Sequence, residues 1–214
     1  MRPRVAAVAF DLDGTLIDTM HMAPTVYASA IRELGGPEVS AEDVTRVWHM
    51  GPTERVLKHF LHRDPTSDDL EVYFAAFTTA FEEVEPFNGI ATLLDELHDA
   101  GFPVGVFTTA TRRASSTLLR SAGLRERIDV LLAGDDGVQP KPNPEGLGRI
   151  GLALGTPAPA LAYVGDAAID LACATAANAV GVLAVWGLHV SPEPAPPYIA
   201  SEPGDVLRIV AGTG

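Results

Sequence analysis

The chain has 214 residues, 47% of them hydrophobic, a formal charge of −13 and a single cysteine, Cys173. That length fits one large domain or a core with an inserted subdomain. The acid surplus argues against a broad nucleic-acid surface or an anionic membrane as partner, and one cysteine excludes an internal disulfide and a cysteine-based zinc site.

Val5 to Phe10 is a short apolar run ending at Asp11. It reads as a buried parallel strand with functional groups at its carboxyl end. The run is too short for a signal peptide despite Arg2 and Arg4, and no later stretch is apolar enough to span a membrane, so a cytoplasmic setting is expected. From Asp18 to Glu85 no strand pattern appears. Val26, Ala30, Ile31 and Leu34 have helical spacing, and Leu70, Tyr73, Phe74, Phe77, Phe81 and Val84 form a longer helical stripe. Gly35-Gly36-Pro37, Gly51-Pro52 and Asp64-Pro65 punctuate this region. A small helical cap over residues 18–86 is expected, inserted into a core formed by residues 1–17 and 87–214.

Further apolar runs follow at Val104–Phe107, Val130–Ala133, Leu161–Val164 and Val182–Val185. Between them, Leu93, Leu94, Leu97 and His98 make one helical stripe, and Ala114, Leu118, Leu119 and Ala122 another. Gly101 and Gly123 stand where helices end. This alternation predicts an α/β fold with a doubly wound parallel sheet. Ser191 to Pro197 reads as a stiff loop without chemistry.

Ligands of an open α/β sheet bind beyond the carboxyl ends of its strands. Asp11 and Asp13 follow the first run, Thr108 and Thr109 the second, and Asp135, Asp136 and Lys141 the third. Asp166 and Asp170 follow the fourth. A hard cation such as Mg²⁺ takes carboxylate and phosphate oxygens, and lysine and threonine can hold the remaining phosphate oxygens. The inventory suits phosphoryl transfer. An EF-hand is excluded, because Thr15 and Leu16 occupy the fifth and sixth loop positions. Gly146-Leu147-Gly148-Arg149-Ile150-Gly151 matches a dinucleotide fingerprint, but prolines separate it from the preceding strand and its glycines fall inside a helix.

The motifs Asp11-Leu12-Asp13-Gly14-Thr15-Leu16, Val106-Phe107-Thr108, Lys141-Pro142 and Gly165-Asp166-Ala167-Ala168-Ile169-Asp170 occur in that order. Together they resemble the haloacid dehalogenase superfamily, specifically its phosphoglycolate-phosphatase-like members with a helical cap. The resemblance covers nearly the whole chain. It implies Asp11 as nucleophile, forming an aspartyl-phosphate, and Asp13 as general acid and then base. It also implies a Mg²⁺ cofactor held by Asp11, the backbone carbonyl of Asp13, and Asp166, with Asp170 a ligand or the support of one. Thr108, Thr109 and Lys141 would hold phosphoryl oxygens, and the cap loop at Gly51 would face the substrate.

Arg55 near that loop, like Arg46, His49 and Lys58, could meet a substrate carboxylate or second phosphate, or merely be solvated; His21 near the hinge is equally open. The substrate would be a small phosphorylated, anionic metabolite, and the chain a monomer or homodimer. Three positions depart from the common pattern: Thr109 stands for an asparagine, Ala167 for serine or threonine, and Asn178 for a glycine. A related sugar phosphomutase such as β-phosphoglucomutase would carry arginine where Thr53 stands. A dehalogenase would lack the acid at Asp13, and a phosphonate hydrolase would need a cap lysine, for which only Lys58 is available. A non-catalytic module would have lost one of Asp11, Asp13, Lys141 or Asp166.

Overall fold

A computed structural model describes residues 5–187 and 198–212. Arg2, Arg4, the Ser191–Pro197 loop and the side chain of His49 lie outside the described residues. Six strands form one parallel sheet: β1 (Ala7–Phe10), β2 (Val104–Phe107), β3 (Val130–Leu132), β4 (Leu161–Gly165), β5 (Val180–Ala184) and β6 (Ile199–Ala200). Their order is β3-β2-β1-β4-β5-β6. The chain winds outward from β1 on one side, then returns past β1 and winds outward on the other. The switch point therefore falls between β1 and β4, where such sheets bind ligands.

Successive strand residues face opposite sides of the sheet. Val8, Phe10, Val104, Val106, Ala162 and Val164 face one core layer, with helices α5 (Ile90–Asp99), α6 (Arg112–Ser121) and α9 (Gly204–Ala211). Ala9, Phe107, Leu161 and Tyr163 face the other, with α7 (Glu145–Ala153) and α8 (Ala168–Ala176). The fingerprint-like glycines lie within α7, as expected. A side chain at Gly146 would collide with the Phe107 ring, so this glycine serves helix–sheet packing.

Between β1 and β2 comes a helical insert: α1 (Ala23–Glu33), α2 (Ala41–Arg46), α3 (Thr53–Leu61) and α4 (Ser67–Ala80). Reciprocal capping boxes, Ser40 with Asp43 and Thr66 with Asp69, start α2 and α4. The insert's core is aromatic: Tyr73 lies 4.4 Å from Tyr27 and 5.7 Å from Phe77, ring centre to ring centre. Its two crossings to the sheet lie side by side, with Ile17 bridged to Pro86 and the Phe87 amide donating to the Leu16 carbonyl at 3.0 Å.

Several boundaries differ from the sequence expectation. The stripe ending at Val84 is not one helix, because α4 stops at Ala80 and Phe81 is its cap. Glu82, Glu83 and Glu85 follow, and acidic side chains oppose the negative end of a helix. Ala122 likewise caps α6 rather than continuing it. Strand β5 starts two residues earlier than the apolar run, separated by one residue from Asn178, which ends the turn behind α8 in the left-handed conformation (φ 56°). Strand β6 has no periodic signal, since two residues are too few to carry one.

Candidate active site

The register makes the carboxyl ends of the inner strands level. Phe10 lies opposite Val106 on β2 and Val164 on β4. The Asp11 amide extends the ladder by donating to the Val164 carbonyl at 2.8 Å. Thr108 and Asp166 therefore leave the neighbouring strands one residue beyond the level of Asp11. Lys141 reaches in from the loop after β3, its side chain only 2% exposed. Its Nζ donates to Asp11 Oδ1 at 2.8 Å and to Asp170 Oδ1 at 2.7 Å. The ammonium also lies 5.3 Å from the Phe107 ring centre and 5.2 Å from that of Tyr163, within cation–π range.

One group of carboxylates gathers around this lysine. Oxygens of Asp11, Asp166 and Asp170 all lie within 4.8 Å of one another. Burial raises the Asp11 carboxyl well above its ordinary pKa; Lys141 opposes the rise, and Asp170 and Asp166 add to it. Burial and the nearby Asp170 charge push Asp166 up to about 6. Burial alone would depress the Lys141 ammonium, but Asp11 and Asp170 outweigh it and hold the pKa above its usual value. Three carboxylates against one lysine leave negative charge that a cation would neutralise. The all-oxygen donor set fits a hard divalent ion such as Mg²⁺. Gly14, at φ 79°, lets the backbone pass under Asp166; a side chain there would strike that carboxylate.

Asp170 is the most constrained of the three. Its Oδ1 accepts from Lys141 and stands 3.2 Å from the Tyr163 hydroxyl, and its Oδ2 accepts from the Ala167 amide at 3.1 Å. Asp13 stands apart from the trio. The Thr19 hydroxyl donates to its Oδ1 at 2.6 Å, and the Thr108 hydroxyl reaches its Oδ2 at 3.5 Å. Burial raises the Asp13 pKa, with the Thr19 bond the largest opposing influence. Two adjacent carboxylates thus receive different surroundings: a lysine for Asp11 and hydroxyls for Asp13.

Thr108 is fully buried and accepts from the Ala110 amide at 3.1 Å. Thr109, Gly51 and Arg55 line a small cavity together with Thr108 and Lys141. Gly51 adopts φ 96°, a backbone that other residues rarely take. Asp135 and Asp136 have structural partners instead: Asp135 accepts from the Arg112 amide, and Asp136 pairs with the Arg112 guanidinium. Arg46 is paired with Glu42 and Asp43, Lys58 with Asp64, and His21 with Asp18, all on exposed surfaces. Among the insert's candidate cations whose side chains are described, Arg55 is the one that borders a cavity beside the strand ends.

Thr19, Tyr163 and Trp186 were not evident in the sequence. Tyr163 looks like an ordinary strand residue, yet its hydroxyl also lies 2.9 Å from the Phe107 carbonyl. The Thr15 hydroxyl donates to Asp166 at 3.2 Å, and the Trp186 indole donates to the Thr15 carbonyl at 2.9 Å.

The haloacid dehalogenase-like hydrolase family matches this chain over residues 8–185. The chain belongs to that family. It is 31% identical to the phosphoglycolate phosphatase of Xanthomonas campestris pv. campestris strain 8004, over 86% of this chain and 85% of that one. It is also 31% identical to the pyrophosphatase PpaX of Halalkalibacterium halodurans, over 96% and 97% of the two chains. Among solved structures, CbbY from Rhodobacter sphaeroides in complex with phosphate superposes with a TM-score of 0.81 at 21% identity, covering 94% of this chain and 96% of that one. The protein is accordingly an enzyme, a phosphatase of the haloacid dehalogenase-like kind. Among the described residues, no helix is long and apolar enough to cross a membrane.

Proposed function

We propose that this chain is a Mg²⁺-dependent phosphomonoester hydrolase that acts on a small phosphorylated metabolite through an aspartyl-phosphate on Asp11. The observation that carries this reading is the unequal treatment of the paired aspartates. Asp11 accepts from the Lys141 ammonium at 2.8 Å, which works against the rise that burial and the neighbouring carboxylates impose on its pKa. Asp13 instead accepts from the Thr19 hydroxyl at 2.6 Å and borders the space beneath the insert. A cation beside the attacking carboxylate suits a nucleophile, and a hydroxyl-bonded carboxyl facing the leaving side suits a general acid.

In the first step an Asp11 oxygen bonds to phosphorus while the ester P–O bond breaks. The leaving oxygen takes its proton from Asp13. In the second step the Asp13 carboxylate accepts a proton from water as that water attacks phosphorus. Inorganic phosphate departs and Asp11 regains its carboxylate. Lys141, Thr108 and Thr109 hold the phosphoryl oxygens and keep them aligned. Asp11, the backbone carbonyl of Asp13, and Asp166 would hold Mg²⁺, with Asp170 fixing Lys141 beside them. The bound ion would supply charge neutralisation for the phosphoryl group.

Residues 18–86 act as a cap over a core of residues 1–17 and 87–214. The adjacent crossings at Ile17–Pro86 and Leu16–Phe87 suit a hinge. Thr53, where the mutases carry arginine, is buried and accepts from the Tyr27 hydroxyl at 3.1 Å. This supports hydrolysis over phosphomutation. Lys58 borders neither cavity beside the strand ends, which weighs against a Schiff-base mechanism.

Phosphate release from an aryl phosphate should require Mg²⁺ and stop when the ion is chelated. Asp11→Asn should lower kcat by at least about a thousandfold, as removal of a covalent nucleophile does. It should also abolish acid-trapped phosphoryl label on the protein. Retained Mg²⁺-dependent turnover by a folded Asp11→Asn variant would refute the mechanism.

A further inference from the structure

Between the insert and the strand ends lies a second cavity of about 30 Å³. Asp13 forms part of its floor, together with Thr109. Tyr27, Trp48, Tyr73 and Phe77 of the insert wall it, and Leu118 closes the core side. This is the space into which Asp13 faces, so a group leaving with a proton from Asp13 departs here. The inference rests on the hydrolase reading above and narrows its substrate.

The lining has a distinct chemistry. Among the described residues that line the cavity, Asp13 alone is charged when ionised, and none is a cation. Arg55 borders the other cavity, beside Lys141 and Thr108, on the phosphoryl side. The walls carry a cluster of hydroxyls: Tyr27 donates to Thr53 Oγ1 at 3.1 Å, and the Tyr73 hydroxyl joins them. A carboxylate or second phosphate in this cavity would meet no cation among the described lining residues and would lie close to Asp13. Unpaired buried charge is among the costliest arrangements in a protein. The volume is room for about two water molecules, so any larger leaving group requires the insert to shift outward from the strand ends.

We infer that the leaving group is a short uncharged alcohol, bound against the aromatic wall formed by Tyr27, Trp48, Tyr73 and Phe77. On this inference the chain differs in substrate from its relative named phosphoglycolate phosphatase, whose namesake substrate places a carboxylate on the leaving side. The wall admits methyl and methylene groups, and the hydroxyl cluster can meet one neutral hydroxyl.

The test compares two esters of matched shape with the intact wild-type enzyme and Mg²⁺. Isobutyl phosphate carries two methyls where 2-phosphoglycolate carries two carboxylate oxygens. The expected kcat/KM is at least tenfold higher for isobutyl phosphate. Equal values or a preference for 2-phosphoglycolate would overturn the inference. So would hydrolysis of an aryl phosphate with neither ester turned over. If the aryl phosphate is also untouched, the hydrolase reading itself fails and the inference falls with it. A variant probes the wall directly. Trp48 is half-buried, packed edge-on to Tyr27 at 5.8 Å, and Trp48→Arg places a cation there. In the folded variant the ratio should move toward 2-phosphoglycolate by tenfold or more; an unmoved ratio shows that the leaving group lodges elsewhere.

Discussion

The strand ends and the helical insert both contain close ion pairs, but they use them in opposite ways. At the strand ends Lys141 lies between Asp11 and Asp170, with side-chain exposures of 2%, 13% and 1%. In the insert, Arg63 forks onto Asp69 beside the start of α4, with the arginine 45% exposed. The first cluster buries charge where water cannot relieve it, which costs stability and is tolerated where chemistry needs it. The second is a local clasp at the rim of a helical layer, of a kind that contributes little in water. The difference implies that the two regions answer differently to the removal of one partner.

The largest effect is expected at Lys141. Lys141→Met keeps the stem and its packing against Phe107 and Tyr163 but deletes the cation. Asp11 and Asp170 would then face each other without compensation. A loss of about 3–5 kcal/mol is expected on denaturant unfolding, the usual penalty for breaking a buried pair. Activity should fall at least a hundredfold. A variant as stable as the wild type would show that the three carboxylates are less buried than the geometry states.

Tyr163→Phe tests the same region more gently. It removes a hydroxyl that stands between the Phe107 carbonyl and Asp170 and leaves the ring in place. The expected cost is about 1–2 kcal/mol, typical of a buried hydrogen-bond partner lost. A severalfold fall in kcat is expected with KM little changed, because Asp170 would still hold Lys141 but less firmly. Full activity with reduced stability would restrict Tyr163 to a packing role.

These two residues also mark what the sequence made legible. Lys141 stood out because a proline-flanked lysine followed a strand and because its motif came in order with three others. Asp11 and Asp166 stood out because a buried parallel strand is a continuous apolar run, so a carboxylate at its end is conspicuous. Tyr163 did not, because a tyrosine inside such a run has the same pattern whether or not its hydroxyl has a task. Thr19 lies beyond the first motif, and its bond to Asp13 depends on how the chain turns through Ile17 into the insert. Trp186 meets Thr15 across almost the whole chain, a contact that no local spacing encodes. The insert was recognisable by the absence of strand runs. Its helix ends were set by capping boxes at Ser40 and Thr66, which short-range signals do express, and by the acidic run after Phe81. The aromatic-walled cavity follows from the packing of α1, α3, α4 and α6 together, which no single segment encodes.

The smallest effect is expected from Asp69, and pH reveals it best. Arg63 and the Thr66 amide hold its carboxyl well below the ordinary value of 3.8. A carboxylate depressed by folding contributes stability above its unfolded pKa, and that contribution is lost as pH falls below it. The clasp is therefore intact at neutral pH and should weaken from about pH 4 downward. Asp69→Asn removes the titrating group and the charge on Arg63's partner, while the amide oxygen can still accept from the Thr66 amide. The variant should be slightly less stable than the wild type at pH 7, and the gap between their melting temperatures should narrow as pH drops from 4 to 2. Phosphatase activity at pH 7 should be unchanged, because the clasp lies outside both cavities beside the strand ends. A gap that stays constant across that range would mean that the stabilising contact at α4 is the Thr66 cap alone. An activity loss at pH 7 would mean that the insert's rim is tied to the buried cluster after all, and that the two regions do not respond separately.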